Sequence, residues 1–394
     1  MPRGLLFRGE FFMFGGGCMT QALASYSASD EAGPKCRLII ESIGGAAPAN
    51  AAAIAHGLGL SVQEVMAAIY RAPCVLVEGL PETLAGQMAG LLRNLGCEIS
   101  ICGEEEPLPA AAELFDVALH VSDAGRYREI VKALGTFLGM TESAAAQLMA
   151  NTPCVVLGRV SPATISALEE RLGPGASLIV SNPDTAQYDL FLGETDTAVQ
   201  ARLLADLRRR GVPLLAEQGC LATGLSRTEA DAIWSVHHRI SALRIVNAAF
   251  ERFDLVLTGG APTDAALAAL ADLTEVPPEI APQLFETLPI IIADAQPAEQ
   301  VGPMLEHFGA AGLDVRAELV TFLNLGIEII AAPNPADLAR LLQDLGFDLP
   351  DTGLRRFPMR LPFALPELQA RILREALSSA GVHAELFDPA EEVR

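Results

Sequence analysis

Two hydrophobic periods alternate along this chain. Short apolar runs such as Arg37-Leu38-Ile39-Ile40, Cys74–Val77 and Glu98–Ile101 read as strands. Between them apolar residues recur every three to four positions. Leu84, Met88, Leu91 and Leu95 fall at i, i+4, i+7 and i+11, which predicts a helix over 82–95 with that stripe buried. Gly96 then stops it, where a left-handed residue costs little. A shorter amphipathic helix ends before Ala72-Pro73, and Gly44-Gly45-Ala46-Ala47-Pro48 turns the first strand into an Ala-rich helix ending near Gly57. The first stretch therefore reads strand, helix, helix, strand, helix, strand.

The phrase returns four times. Residues 117–181 repeat it, with strand 117–121, helices 126–138 and 142–151, strand 154–157, a helix opened by Pro162 and strand 177–181. Residues 254–320 and 324–388 repeat it again, with Thr287-Leu288-Pro289 and Phe357-Pro358 leading into strands 290–293 and 359–361. Residues 187–253 form the degenerate copy: strand 188–192, a helix through Arg210, a short strand at 213–216, then helices 227–236 and 242–252. Aligning Pro73, Pro153, His238, Pro289 and Pro358 puts Ile69, Met149, Trp234, Phe285 and Leu354 four residues earlier, all apolar. The same frame puts Leu60, Met140, Leu225, Val276 and Leu345 thirteen earlier, again all apolar. A fixed period of about 70 residues marks internal repetition.

The expected fold is α+β: five tandem β-α-α-β-α-β repeats, each a small three-stranded sheet with helices on one face. Three bare strands are not stable alone, so the helices must cover them. The expected boundaries are a disordered leader over 1–35 (with Met19 as a second candidate start), repeat one 36–103, a linker 104–114, repeat two 115–182, repeat three 187–253, repeat four 254–320, repeat five 324–388 and a tail 389–394. The charged, Pro-containing linker suggests that repeat one stands more freely than the others.

Composition narrows the function. With 51% hydrophobic and 19% charged residues, the chain has enough apolar surface to fold. The net charge of −22 disfavours DNA and RNA, whose binding depends on cationic side chains displacing counterions. No apolar run is long enough to span a bilayer. Seven scattered cysteines (18, 36, 74, 97, 102, 154 and 220) fit reduced thiols in a cytoplasmic protein.

Candidate chemistry is sparse. Cys74 and Cys154 hold one position in two repeats among Val, Leu and Pro, which reads as structural thiols. His237-His238 has no further ligands at metal-binding spacing, and the glycine turns 44–46 and 259–262 carry no phosphate-loop Lys-Ser/Thr. No cofactor is expected. The one anomaly is charge: Arg202, Arg208, Arg209, Arg210, Arg227, Arg239, Arg244 and Arg252 make repeat three nearly neutral in an acidic chain. They could dock an acidic partner or pair with acidic neighbouring repeats. The repeated core position of Trp234 suggests packing.

The pattern G-L-S-x-x-E-V, then A-P-C-V-L-V-x-G-x-P, then L-x-x-L-G-C-E-I-S-I over 59–101 resembles the C-terminal domain of the bacterial ribosomal stalk protein, a fold shared with the Clp protease adaptor. The resemblance is clearest over 37–102 and extends to 116–181 and 254–320. It implies helix faces that recruit protein partners. In the stalk domain translation factors dock on a lysine-bearing face of the first two helices. Here the matching positions hold Ala51, Ala52, Ala53, His56, Gln63 and Met66, and repeat two keeps Arg126, Arg128 and Lys132.

The favoured reading is a non-enzymatic scaffold or adaptor that binds protein partners and could self-associate. Its partner-binding candidates are Arg208, Arg209, Arg210, Trp234, His237, His238 and Arg239. One alternative is an enzyme with a site between repeats, using Cys154 or His237/His238 with carboxylates. Another is a ribosome- or translation-factor-associated protein.

Overall fold

The structure, a computed structural model, describes residues 24–25, 34–46, 51, 54–56, 61–215, 219–274, 276–344, 347 and 357–389. Five small sheets, each with a three-stranded antiparallel set, alternate with helices; that of repeat one gains a short fourth strand at its edge. In every repeat the first strand is central, flanked by the second and third, and it runs antiparallel to the second.

Repeat one holds β2 (Lys35–Ser42), α1 (Val62–Tyr70), β3 (Cys74–Pro81), α2 (Glu82–Asn94) and β4 (Glu98–Gly103). Repeat two holds β5 (Phe115–Val121), α3 (Tyr127–Leu138), α4 (Glu142–Met149), β6 (Cys154–Val160), α5 (Pro162–Leu172) and β7 (Ala176–Ser181). Repeat three holds β8 (Gln187–Leu192), α6 (Thr197–Arg209), β9 (Cys220–Ser226), α7 (Arg227–His237) and β10 (Leu243–Asn247). Repeat four holds β11 (Arg252–Gly259), α8 (Asp264–Leu273), β12 (Ile290–Pro297), α9 (Ala298–Ala310) and β13 (Asp314–Leu319). Repeat five holds β14 (Asn324–Ala331), α10 (Pro335–Asp344), β15 (Met359–Pro366), α11 (Glu367–Ser379) and β16 (His383–Phe387).

Local chemistry explains the element ends. Ser61 and Ser226 each open a helix with a reciprocal capping box: the serine side chain accepts from the N–H three residues on, and Glu64 or Glu229 accepts from the serine N–H at 2.8 Å. The peptide bonds before Pro73, Pro153, Pro289 and Pro358 are all cis, so the aligned prolines share a backbone feature as well as a position.

By contacts the chain divides into two compact units, Met1–His120 with Arg128–Met149 and Cys154–Asp184, and Val121–Tyr127 with Ala150–Pro153 and Thr185–Arg394. In the first unit, Tyr70 O accepts from Ser161 N at 2.9 Å and from Thr164 Oγ1 at 3.0 Å. Arg171 donates to Gly44 O at 2.6 Å and Ala46 O at 3.2 Å, with its guanidinium 5.0 Å from the Phe137 ring centre. Repeat one is therefore fastened to repeat two, and the greater freedom expected for it is corrected. In the second unit, Phe322, between β13 and β14, packs edge-on against Phe191 at 5.0 Å beside Cys220 and Val246, under the Arg244 guanidinium.

Several expectations need correction. Residues 242–252 do not form a helix: Leu243–Asn247 is a strand and Ala248–Phe250 a 3-10 turn. The expected strand at 213–216 has no regular structure over its described residues, and the true middle strand of repeat three is β9. Gly219, not His238, therefore stands where the prolines stand. Trp234 accordingly leaves the core: it is 43% exposed, and Ile233, 1% exposed, packs inside. The stripe Leu84, Met88, Leu91 turns outward, because Ala85, Ala89 and Leu92 face inward. In repeat five the buried positions of α11 are Ala370, Leu373 and Leu377. Most of the leader, much of the expected Ala-rich helix near Gly57 and much of the tail lie outside the described residues; 51 and 54–56 are helical as expected. Ala24–Ser25, placed in the expected disordered leader, instead forms a short strand, β1, parallel to β3.

Candidate functional site

The candidate residues of repeat three lie at the C-terminal end of α6, on α7 and in the turn that follows it. Asp206 joins them. It pairs with Arg209 at 2.8 Å and Arg210 at 2.7 Å on its own helix, and lies 2.9 Å from His237 Nε2 on α7. Those hydrogen bonds, first His237's and then the arginines', hold the Asp206 carboxyl well below the usual carboxylate range. One carboxylate thus ties two helix ends together under a basic surface.

Trp234 and His238 form a second contact, one helical turn apart. Their ring centres are 6.2 Å apart, and His238 Nδ1 lies 3.2 Å from Trp234 O. Arg208, Arg239 and His238 are exposed, and Val236 is 57% exposed. Among the described residues Arg208 and Arg239 make no ion pair. The structure therefore gathers Arg209, Arg210 and His237 on Asp206 and sets Trp234 beside His238; no direct contact ties Arg208 or Arg239 to either group. Arg209 and Arg210 pair within their own helix rather than with another repeat, and Arg227 lies 3.6 Å from Asp231 of its own helix. Planar guanidiniums and a solvent-facing indole in one repeat suit carboxylates interleaved with an apolar side chain.

The other candidates take quieter roles. Burial pushes the Cys74 thiol up to about 11 and the Cys154 thiol to about 12, so neither forms a thiolate near neutral pH. The glycine turn after β2 is internally satisfied. Gly45 N donates to Gly96 O at 2.9 Å and Gly44 N to Ser42 Oγ at 3.0 Å; a Cβ on Gly44, at φ +51°, would meet Gly96 O at 2.6 Å. Among the described residues no three His, Cys, Asp or Glu side chains are placed to hold a metal ion, and no helix is long and apolar enough to cross a membrane.

The sequence expectations do not include a set of buried and half-buried aspartates. Asp116, Asp189 and Asp254 hold the same position on the centre strands of repeats two, three and four. Each accepts from a backbone N–H on the neighbouring strand: Arg159 at 2.9 Å, Gly224 at 2.8 Å and Ala295 at 2.7 Å. All three donors have positive φ, +54°, +70° and +47°, and the strand pairing skips the aspartate each time. A carboxylate thus satisfies the N–H that each β-bulge turns out of the ladder. The signal was present in the sequence as Phe115-Asp116-Val117, Tyr188-Asp189-Leu190 and Phe253-Asp254-Leu255. In repeat three Asp189 also meets Glu251. Burial first, then the Asp189 charge and hydrogen bond, push the Glu251 carboxyl up to about 8.

No protein-family model matches the chain, and no curated protein or solved structure matches it either.

Proposed function

We propose that the chain is a non-enzymatic scaffold or adaptor that binds protein partners, with the basic face of repeat three as its docking surface for an acidic segment. The observation that supports this most is the solvent-facing Trp234 in the same repeat as the exposed Arg208, Arg209, Arg210 and Arg239, in a chain whose net charge is −22. An exposed large aromatic and exposed guanidiniums have the composition of an interface hot spot. Asp206 pre-orders that surface by holding Arg209, Arg210 and His237 together. An acidic segment also meets least repulsion at repeat three, whose eight arginines equal its eight carboxylates.

The resemblance to the stalk domain supports partner recruitment in general, while the missing lysines move the docking surface away from repeat one. The test is affinity capture with the full chain and with W234A and R208E/R239E variants. Partners lost from both variants support the reading; an unchanged partner set ends it.

A further inference from the structure

Repeat two holds repeat one through one face of α5, the face bearing Thr164 and Arg171. Matching the strand ends Pro81 and Ser161 places Leu84 of α2 at the position of Thr164 and Leu91 at that of Arg171. The other repeats carry Glu229 and Val236, Gln300 and His307, and Gln369 and Ala376 there. Repeat one alone has leucine at both. Leu91 is 65% exposed, and Leu84 and Met88 beside it are half-buried. The outer flank of this stripe, Thr83 and Gln87, is exposed and uncharged.

We infer that this face of α2 is a self-association surface, occupied by the same face of a second copy of the chain. Two observations select that occupant. The equivalent face of α5 already serves as a contact between two copies of this fold inside the chain, so the surface type is one that packs against a repeat. Two chains of net charge −22 repel each other, and a charge-free apolar stripe is where they can meet without juxtaposing like charges. The spacing also suits it. Leu84, Met88 and Leu91 lie four and three residues apart, so an antiparallel two-fold pairing sets Leu84 against Leu91 of the second copy and Met88 near its own counterpart. One helix face buries less area than a standard interface, so the association is reversible and concentration-dependent.

Sedimentation equilibrium of the full chain over a concentration series tests this. The expected result is a mass rising from one chain, 41.5 kDa, towards two, with L91R and the milder L91Q shifting the curve back to one chain. Circular dichroism melting of both variants should match the wild type, because residue 91 is exposed. A wild-type mass of one chain at every concentration would overturn the inference. So would association that survives L91R and L91Q unchanged.

Discussion

Glu251, in the turn before β11, presses its carboxyl against that of Asp189 on β8, and both are buried, at 3% and 8% exposure. Two carboxylates cannot both ionise in such a place. The arrangement is a carboxylic acid donating to a carboxylate, with Asp189 anchored by Gly224 N and Glu251 Oε1 left without a partner.

Stability should therefore fall as pH rises. The folded protein keeps a proton on Glu251 up to about 8, while the unfolded chain loses it near the ordinary value of 4.5. The stabilisation is complete below about 4.5 and is lost as pH climbs towards 8, at no more than about 1.4 kcal/mol per pH unit for one proton. E251Q, which keeps a neutral group of the same shape, should flatten that slope. Urea titrations from pH 5 to 9 on both proteins measure it; parallel slopes would contradict the proton-sharing pair.

The bulge aspartates make a second expectation. Removing the Asp254 carboxylate orphans Ala295 N, so D254A should lower stability by about 1–3 kcal/mol. Ala295 itself carries φ +47°, which glycine tolerates better, so A295G should raise stability by about 1 kcal/mol. Denaturant midpoints decide both signs. Burial also pushes Asp254 up to about 6, so the folded state holds that proton more tightly than the unfolded chain and the cost of D254A should grow as pH falls from about 6 towards 3.8.

The register of α7 predicts a contrast between neighbours. Ile233 lies within the core of repeat three and Trp234 faces solvent. I233A should cost about 2–5 kcal/mol and W234A less than about 0.5 kcal/mol. Equal losses in thermal melts would restore Trp234 to the core.

The architecture was legible wherever proline marked the entry to the second strand. Repeats one, two, four and five carry that mark, and their elements fall within a few residues of expectation. Repeat three replaces it with Gly219-Cys220, so β9 looked like a loop and the frame slid to His238. Leu243, Val246 and Phe250 are spaced like a helix face, yet all three are buried from a strand and a 3-10 turn. Periodicity over so few residues cannot separate the two. In α2 the alanines took the sheet-facing side, because close packing there favours small residues over the leucines that set the apparent stripe. The arginines, Trp234 and the histidines were legible as a group by composition. Their organiser, Asp206, was not, because a contact between two helices leaves no mark in local spacing.

Repeat three's exposed basic and aromatic residues form the proposed partner-docking surface. The most direct measurement is quantitative capture of bound proteins by the full chain, comparing wild type, W234A and R208E/R239E at low and raised salt. The expected result is a defined partner set that weakens with salt and is lost from both variants. The same set retained by R208E/R239E at both salt concentrations would contradict it.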